Sequence, residues 1–239
     1  ICNMNVLFHI PFYTDYQVSG GEMTAADLVR CCEEKGWEVR ILVAIIKDKS
    51  DKRLFQVVGG TSEHYQWCDI VITHLGSHGQ AYNNAKFYKK PIICYLHNSF
   101  RYAVVQSRRE FNVIYNSKFT QNELQPFYER NRSELIHPIL YPRFRERNKE
   151  AKAVLIINSN ENKGGKQYCE IAKQMPKQNF IIIKGGYGEQ IIPDLPNVEV
   201  VENCIDIEKY IIQSHTLLML SRYESYGRTA VECILAGLK

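Results

Sequence analysis

Two carboxylates flank a turn of small and polar residues in Ser221-Arg222-Tyr223-Glu224-Ser225-Tyr226-Gly227-Arg228-Thr229-Ala230-Val231-Glu232. The stretch follows the apolar run Thr216–Leu220 and bends through Glu224–Gly227 into a helical segment from about Arg228. A helix entered from a strand end presents the amides of Gly227, Arg228 and Thr229, with the helix dipole behind them. Anions bind at such places. Glu224 lies just before the helix and Glu232 about one turn inside it. Phosphate affinity flanked by two hydroxyl-binding carboxylates suits a ligand carrying both groups, and a sugar nucleotide is such a ligand. A capped surface helix with solvated acids shows the same spacing, so the pattern needs support from elsewhere in the chain.

That support comes from a resemblance. Glu224 and Glu232, separated by seven residues, look like the E-x7-E motif of retaining GT-B glycosyltransferases, the large nucleotide-sugar group usually numbered four. The continuation Cys233-Ile234-Leu235-Ala236-Gly237 resembles the group's E-A-x-A-x-G extension. The resemblance implies that Glu224 contacts the donor sugar's hydroxyls, Glu232 the nucleotide ribose, and the loop Ser225, Tyr226, Gly227, Arg228 and Thr229 the diphosphate.

Three further stretches resemble the same family. In Asn158-Ser159-Asn160-Glu161-Asn162-Lys163-Gly164-Gly165, Lys163 and Gly164 match the family's Lys-Gly, but Asn158 stands where most members have Arg. Physically, a lysine at a strand end can neutralise a departing diphosphate, a charge effect worth several kcal/mol in a closed site, roughly; the departure at Asn158 leaves one cation fewer. Gly20 and Gly21, in Ser19-Gly20-Gly21-Glu22, resemble the family's N-terminal glycine loop, which can approach phosphates because it lacks side chains. A plain turn explains that pair equally well, and the full G-x-G-x-x-G fingerprint is missing. His97 ends the apolar run Ile93-Cys94-Tyr95-Leu96, where members carry a His near the donor sugar. The implied catalytic set is His97, Lys163 and Glu224.

Other chemistries find less. His74 and His78 have ligand-like spacing, but Gly76 between them indicates a loop and no third ligand is evident. No Asp-x-Asp, P-loop or Gly-x-Ser-x-Gly elbow occurs, so neither a divalent metal nor any other cofactor is expected. Arg101, Arg108 and Arg109 are read as solvated.

These residues need strand ends and helix starts to hold them, and the chain supplies both in alternation. Val6–Ile10 reads as a buried strand, Glu22–Lys35 as a helix stopped by Gly36, and Val39–Ile46 as the next strand. Asp69–Thr73, Pro91–Leu96 and Asn112–Tyr115 continue the strands, with helices over Gln80–Lys90 and Lys118–Tyr128, the latter capped by Ser117. The charged tract Arg143–Glu150 has the character of a linker. Ala153–Ile157, Phe180–Ile183, Val198–Val201 and Thr216–Leu220 are the later strands, with helices over Lys166–Met175, after Asp206 and from Arg228. The expected fold is α/β and GT-B-like: two Rossmann-type parallel-sheet domains, 1–145 on the acceptor side and 146–239 for the nucleotide sugar, with the ligand between them. Because the chain stops at Leu238-Lys239, just as another strand begins, the second domain is read as incomplete and the chain as a fragment.

Composition agrees with a packed globular protein: 239 residues, 45% hydrophobic and 23% charged. No apolar run approaches the ~20 residues that span a bilayer. Eight cysteines without a C-x-x-C pair read as core residues in a reducing, cytoplasmic compartment. The net charge of +4 lies wholly in residues 1–145, which hold 18 basic and 14 acidic side chains. Unclustered, it excludes nucleic acid as a partner and leaves at most a weak membrane-surface association. The expected activity is transfer of a sugar from a UDP- or GDP-linked donor to a glycan, lipid, protein or small-molecule acceptor, with retention. The alternatives are a non-catalytic nucleotide- or glycan-binding relative and a nucleotide-sugar epimerase of the same fold.

Overall fold

The computed structural model describes residues 3–16, 18–57, 61–100, 103–104, 109–141 and 148–239. They fall into two units, Ile1–Gln17 with Gly21–Ile139 and Val18–Gly20 with Leu140–Lys239. Arg101, Arg108 and most of the charged tract before Asn148 lie outside the described residues.

The first unit runs β1 (Asn5–His9), α1 (Gly20–Glu34), β2 (Glu38–Val43), β3 (Leu54–Gln56), α2 (Ser62–Trp67), β4 (Ile70–His74), α3 (His78–Phe87), β5 (Ile92–Leu96), β6 (Asn112–Tyr115), α4 (Lys118–Leu124) and β7 (Ser133–Leu135). Its seven strands form one sheet in the order β3-β2-β1-β4-β5-β6-β7, and every pairing is parallel. Continuous apolar strands are what such a sheet needs, because helices cover both faces. Val6, Leu7 and Phe8 are accordingly buried on alternate sides, in two separate core clusters. Each fully buried side chain of this size contributes about 1.5–3 kcal/mol.

Helix ends explain the local boundaries. After α1, Gly36 takes φ 76°, its amide donates to Glu33 and that of Trp37 to Cys32. These are the two bonds of a left-handed helix stop that only glycine adopts cheaply. Ser117 caps α4 by accepting from the Thr120 amide at 3.0 Å. That helix is shorter than its pattern suggests, because Pro126 enters a following 3₁₀ turn, Gln125–Phe127. The short elements β3, α2 and β7 carry too few apolar positions to show in the sequence pattern.

The second unit runs β8 (Ala153–Ile157), a 3₁₀ turn at Glu161–Lys163, α5 (Gly165–Gln174), β9 (Phe180–Ile183), β10 (Val198–Val201), α6 (Glu208–Ile211), β11 (Ser214–Leu217) and α7 (Arg228–Leu235). The sheet is β10-β9-β8-β11, again all parallel. Strand β11 lies two residues earlier than the apolar run Thr216–Leu220 implies, since Leu218 and Leu220 pack beside the sheet. Helix α7 ends on Gly237 at φ 84°, with the Leu238 amide on Cys233 and that of Gly237 on Ile234. Beyond it, the backbone of Lys239 exchanges hydrogen bonds with His215 and Leu217 of β11. No helix among the described residues is long and apolar enough to cross a membrane. The seven cysteines described are free thiols.

Candidate functional site

At the β8 end, Asn158 takes φ 67°, an αL turn that a non-glycine residue seldom adopts. Its buried side-chain oxygen is engaged twice. Asn158 Oδ1 accepts from Gln190 Nε2 at 3.1 Å and from the Asn160 amide at 3.3 Å. Gln190 in turn accepts the amides of Ser159 at 3.0 Å and Gly185 at 2.9 Å. A Cβ on Gly185 would lie 2.2 Å from Asn158 Cγ, so this glycine makes room for the amide. Asn158 thus organises the Gly185–Gln190 loop.

Asn160 caps the next turn by accepting from the Lys163 amide at 3.0 Å. Gly164 follows at φ 84°, where a Cβ would sit 2.4 Å from that of Leu220. At Gly165 a Cβ would be 1.9 Å from the Ser159 carbonyl oxygen. The glycine pair is therefore dictated by two close approaches as well as by one positive φ.

This turn delivers Lys163 to the segment entering α7. Lys163 Nζ donates to Glu224 Oε1, which also accepts from Ser221 Oγ at 2.7 Å. The pair is partly exposed, at 21% for Lys163 and 27% for Glu224. Arg222 donates its amide to Asn162 at 2.9 Å, joining the two loops. Ser225 and Tyr226 are half-buried, and Gly227 turns through φ 74° as the N-cap of α7. The first amides of that helix, from Arg228 and Thr229, have no intrahelical acceptor by construction. Inside the helix Arg228 Nε donates to Glu232 Oε1 at 2.7 Å, and both side chains are about nine-tenths buried. Within the second unit one ammonium and one carboxylate, Lys163 and Glu224, thus meet before a helix start, with Glu232 paired to Arg228 inside that helix. Among the described residues no group of three His, Cys, Asp or Glu could hold a metal.

Gly20 and Gly21, on either side of the division between the units, are the opening residues of α1 rather than a free loop. Gly20 has open space around it, while a Cβ on Gly21 would meet Leu75 Cδ1 at 3.3 Å. His97 follows the end of β5, half-buried, and its Nε2 is 2.8 Å from Nδ1 of His74. Desolvation, helped by the nearby imidazole His78, holds His97 down at about 3. Burial likewise keeps His74 well below its ordinary value and His9 and His78 at about 4. These imidazoles are neutral at pH 7. Arg109 is not solvated: it donates to the Gly79 carbonyl at 2.8 Å and lies 5.3 Å over the Tyr82 ring.

The sequence did not single out Gln190, the pairing of Arg228 with Glu232 or that of His74, weighed there only as a metal ligand, with His97. The i,i+4 spacing of Arg228 and Glu232 was the available signal for the second; nothing in the spacing pairs His74 with His97.

No family model matches the chain, and no curated protein sequence matches it. Solved structures do. HepE (Alr3699) of Anabaena, in complex with UDP and glucose, aligns at TM-score 0.79 and 14% identity, over 99% of this chain and 79% of that one. WaaG, a glycosyltransferase involved in lipopolysaccharide biosynthesis, aligns at 0.68 and 15%, over 98% and 79%. An alpha-glucosyltransferase in complex with UDP-glucose and DNA containing an abasic site aligns at 0.67 and 12%, over 94% and 74%. At these identities the likeness is one of fold, and the fold is that of the GT-B glycosyltransferases.

Proposed function

We propose that this protein is a glycosyltransferase that moves a sugar from a nucleoside-diphosphate donor to an acceptor hydroxyl with retention of configuration. The observation carrying the reading is the Lys163–Glu224 contact beside the start of α7, with Glu232 one turn inside. Each part has a role that its chemistry supports. Lys163 and the first amides of α7 neutralise the departing diphosphate, doing the work a divalent metal does elsewhere. Glu224, released from Lys163, accepts hydrogen bonds from the donor sugar's hydroxyls, and Glu232 those of the ribose. His97, by the same resemblance, bonds to the sugar. The sugar's anomeric carbon loses its bond to the diphosphate oxygen and gains one to the acceptor oxygen on the same face. The acceptor's proton passes to the leaving diphosphate.

The neighbours HepE and the alpha-glucosyltransferase carry UDP or UDP-glucose, which favours a uridine donor over guanosine. DNA is the acceptor context of the alpha-glucosyltransferase alone; the scattered charge of +4 here favours a glycan, lipid, protein or small-molecule acceptor. A non-catalytic binding role is the second reading, favoured by the engagement of Asn158 within its own loop where most members of the family that the motifs resemble place Arg.

The test is thermal stabilisation by UDP, GDP, ADP and their sugars, in wild type and in Lys163→Ala and Glu232→Gln. One nucleotide raising Tm, and losing that effect in both variants, supports the site. Stabilisation by none overturns it. Slow hydrolysis of the bound donor separates catalyst from binder, and interconversion of free nucleotide sugars would reveal an epimerase.

A further inference from the structure

Two imidazoles in the first unit share a single hydrogen bond. His74 Nδ1 and His97 Nε2 are 2.8 Å apart, with the rings edge to face at 66° and centroids separated by 4.8 Å. Such a bond requires one nitrogen to donate and the other to accept, so each neutral ring is committed to one tautomer. The surroundings of His74 decide which. His74 is 2% exposed, and its Nε2 is buried without a hydrogen-bond partner among the described residues. Phe8, Ile10, Ala25, Leu28, Ile72 and Tyr95 line the small cavity beside the rings. If His97 donated from Nε2, neutral His74 would carry its hydrogen on its own Nε2, a buried N–H aimed at hydrocarbon. If His74 donates from Nδ1, its Nε2 is only an unused lone pair. Orphaned buried N–H groups are the rarer of the two faults.

His97 then has one nitrogen left. Its Nδ1 makes no hydrogen bond among the described residues, and the residue as a whole is half-buried rather than buried.

We propose that His74 is a positioning residue: it donates Nδ1–H to His97 Nε2 and so fixes His97 as a neutral Nδ1–H donor for a ligand oxygen. His97 on this account does not accept a proton from the acceptor hydroxyl. The identity of the ligand oxygen rests on the glycosyl-transfer reading; the tautomer does not. The other groups that face the pair are consistent with a neutral dyad: the Tyr95 ring lies 4.7 Å from that of His97, and His78, whose Nε2 bonds Cys94 Sγ at 3.3 Å, is uncharged.

Long-range proton–nitrogen correlation spectra of the 15N-labelled full chain, without ligand, test this directly. His97 is expected to show a protonated Nδ1 and bare Nε2 at pH 7, unchanged at pH 5. In His74→Phe the lock is gone: His97 should show both tautomers, and it should stay neutral at pH 5 because burial and His78, not His74, hold it down. Turnover of the nucleotide-sugar donor should fall about tenfold. His74→Asn, whose amide nitrogen can donate from nearly the same place, should restore the single tautomer and the turnover. A wild-type His97 protonated on Nε2, or one that titrates between pH 5 and 7, overturns the proposal, and so does an unchanged His97 spectrum in His74→Phe. Should His74→Phe fail to fold, the wild-type spectrum alone still decides. A chain that binds no nucleotide but shows the Nδ1–H tautomer overturns the glycosyl-transfer reading and leaves the positioning role of His74 intact.

Discussion

The two units solve the same architectural problem with opposite electrostatics. Both place polar side chains where parallel strands end, the usual ligand-binding edge of an α/β sheet. In the first unit those ends carry His9, His74 and His97, kept neutral by burial. In the second they carry complementary charges, Lys163 with Glu224 and Arg228 with Glu232. The difference teaches how a strand end meets an ionic ligand. Charge is held beside a charged partner, part-exposed as in Lys163–Glu224 or buried as in Arg228–Glu232, or the group is buried without one and gives up its charge. Only the second arrangement offers a cation to a diphosphate, and only the first gives a hydrogen-bonding ring whose state is insensitive to pH near 7.

The contrast breaks most visibly at the second unit's ion pairs. Lys163→Ala should lower donor turnover by at least about 10²-fold, as loss of a charge-stabilising donor does, while Tm without ligand moves little. That is read by steady-state kinetics beside a melting curve. Glu232→Ala removes a carboxylate partner from the nearly buried Arg228 guanidinium, and up to about 3–5 kcal/mol of stability should be lost in urea unfolding. Glu232→Gln should lose less, because the amide oxygen still accepts from Arg228.

Acid sharpens the comparison from the other side. The first unit's buried imidazoles have folded pKa values below the unfolded value, so the unfolded chain binds more protons under about pH 6.5. Stability is therefore full above that pH and lost as pH falls toward 4. Each such imidazole contributes about 2 kcal/mol of loss from pH 7 to 5. Denaturant titrations at pH 7, 6 and 5, followed through residues of each unit by hydrogen exchange, should place that loss in the first unit. An equal loss in the second would break the contrast.

Glycine substitutions give the smallest and cleanest contrast. Gly165→Ala must move the Ser159 carbonyl, 1.9 Å from the new Cβ, and should cost about 1–3 kcal/mol. Gly20→Ala meets nothing within 4 Å and should change Tm negligibly. If it nevertheless abolished nucleotide binding, the close-approach role suggested for Gly20 by its motif would be supported.

Much of this was legible in the residues. Asn112–Tyr115, Ala153–Ile157, Phe180–Ile183 and Val198–Val201 are strands within the limits their sequence patterns indicate; Ala153–Ile157 and Phe180–Ile183 are the clearest, because a strand buried on both faces leaves an uninterrupted hydrophobic record. Gly36 and Gly237 end helices as their positions imply, since the αL stop is a local property of one residue. The start of α7 after Gly227 was legible for the same reason.

What the sequence could not determine is long-range pairing. Glu224 and Lys163 are joined although 61 positions apart, and His74 and His97 although 23 apart. Asn158 reads as a defective cation site until Gln190 and Gly185 close around its amide. By itself the sequence determined the parallel α/β alternation, the glycines that stop helices and the local order of polar groups around α7, because propensity, period and backbone freedom act over a few residues. Which carboxylate meets which cation, and which imidazole is buried and neutral, was decided only by the tertiary structure, because charge and proton positions follow from distance and desolvation in space.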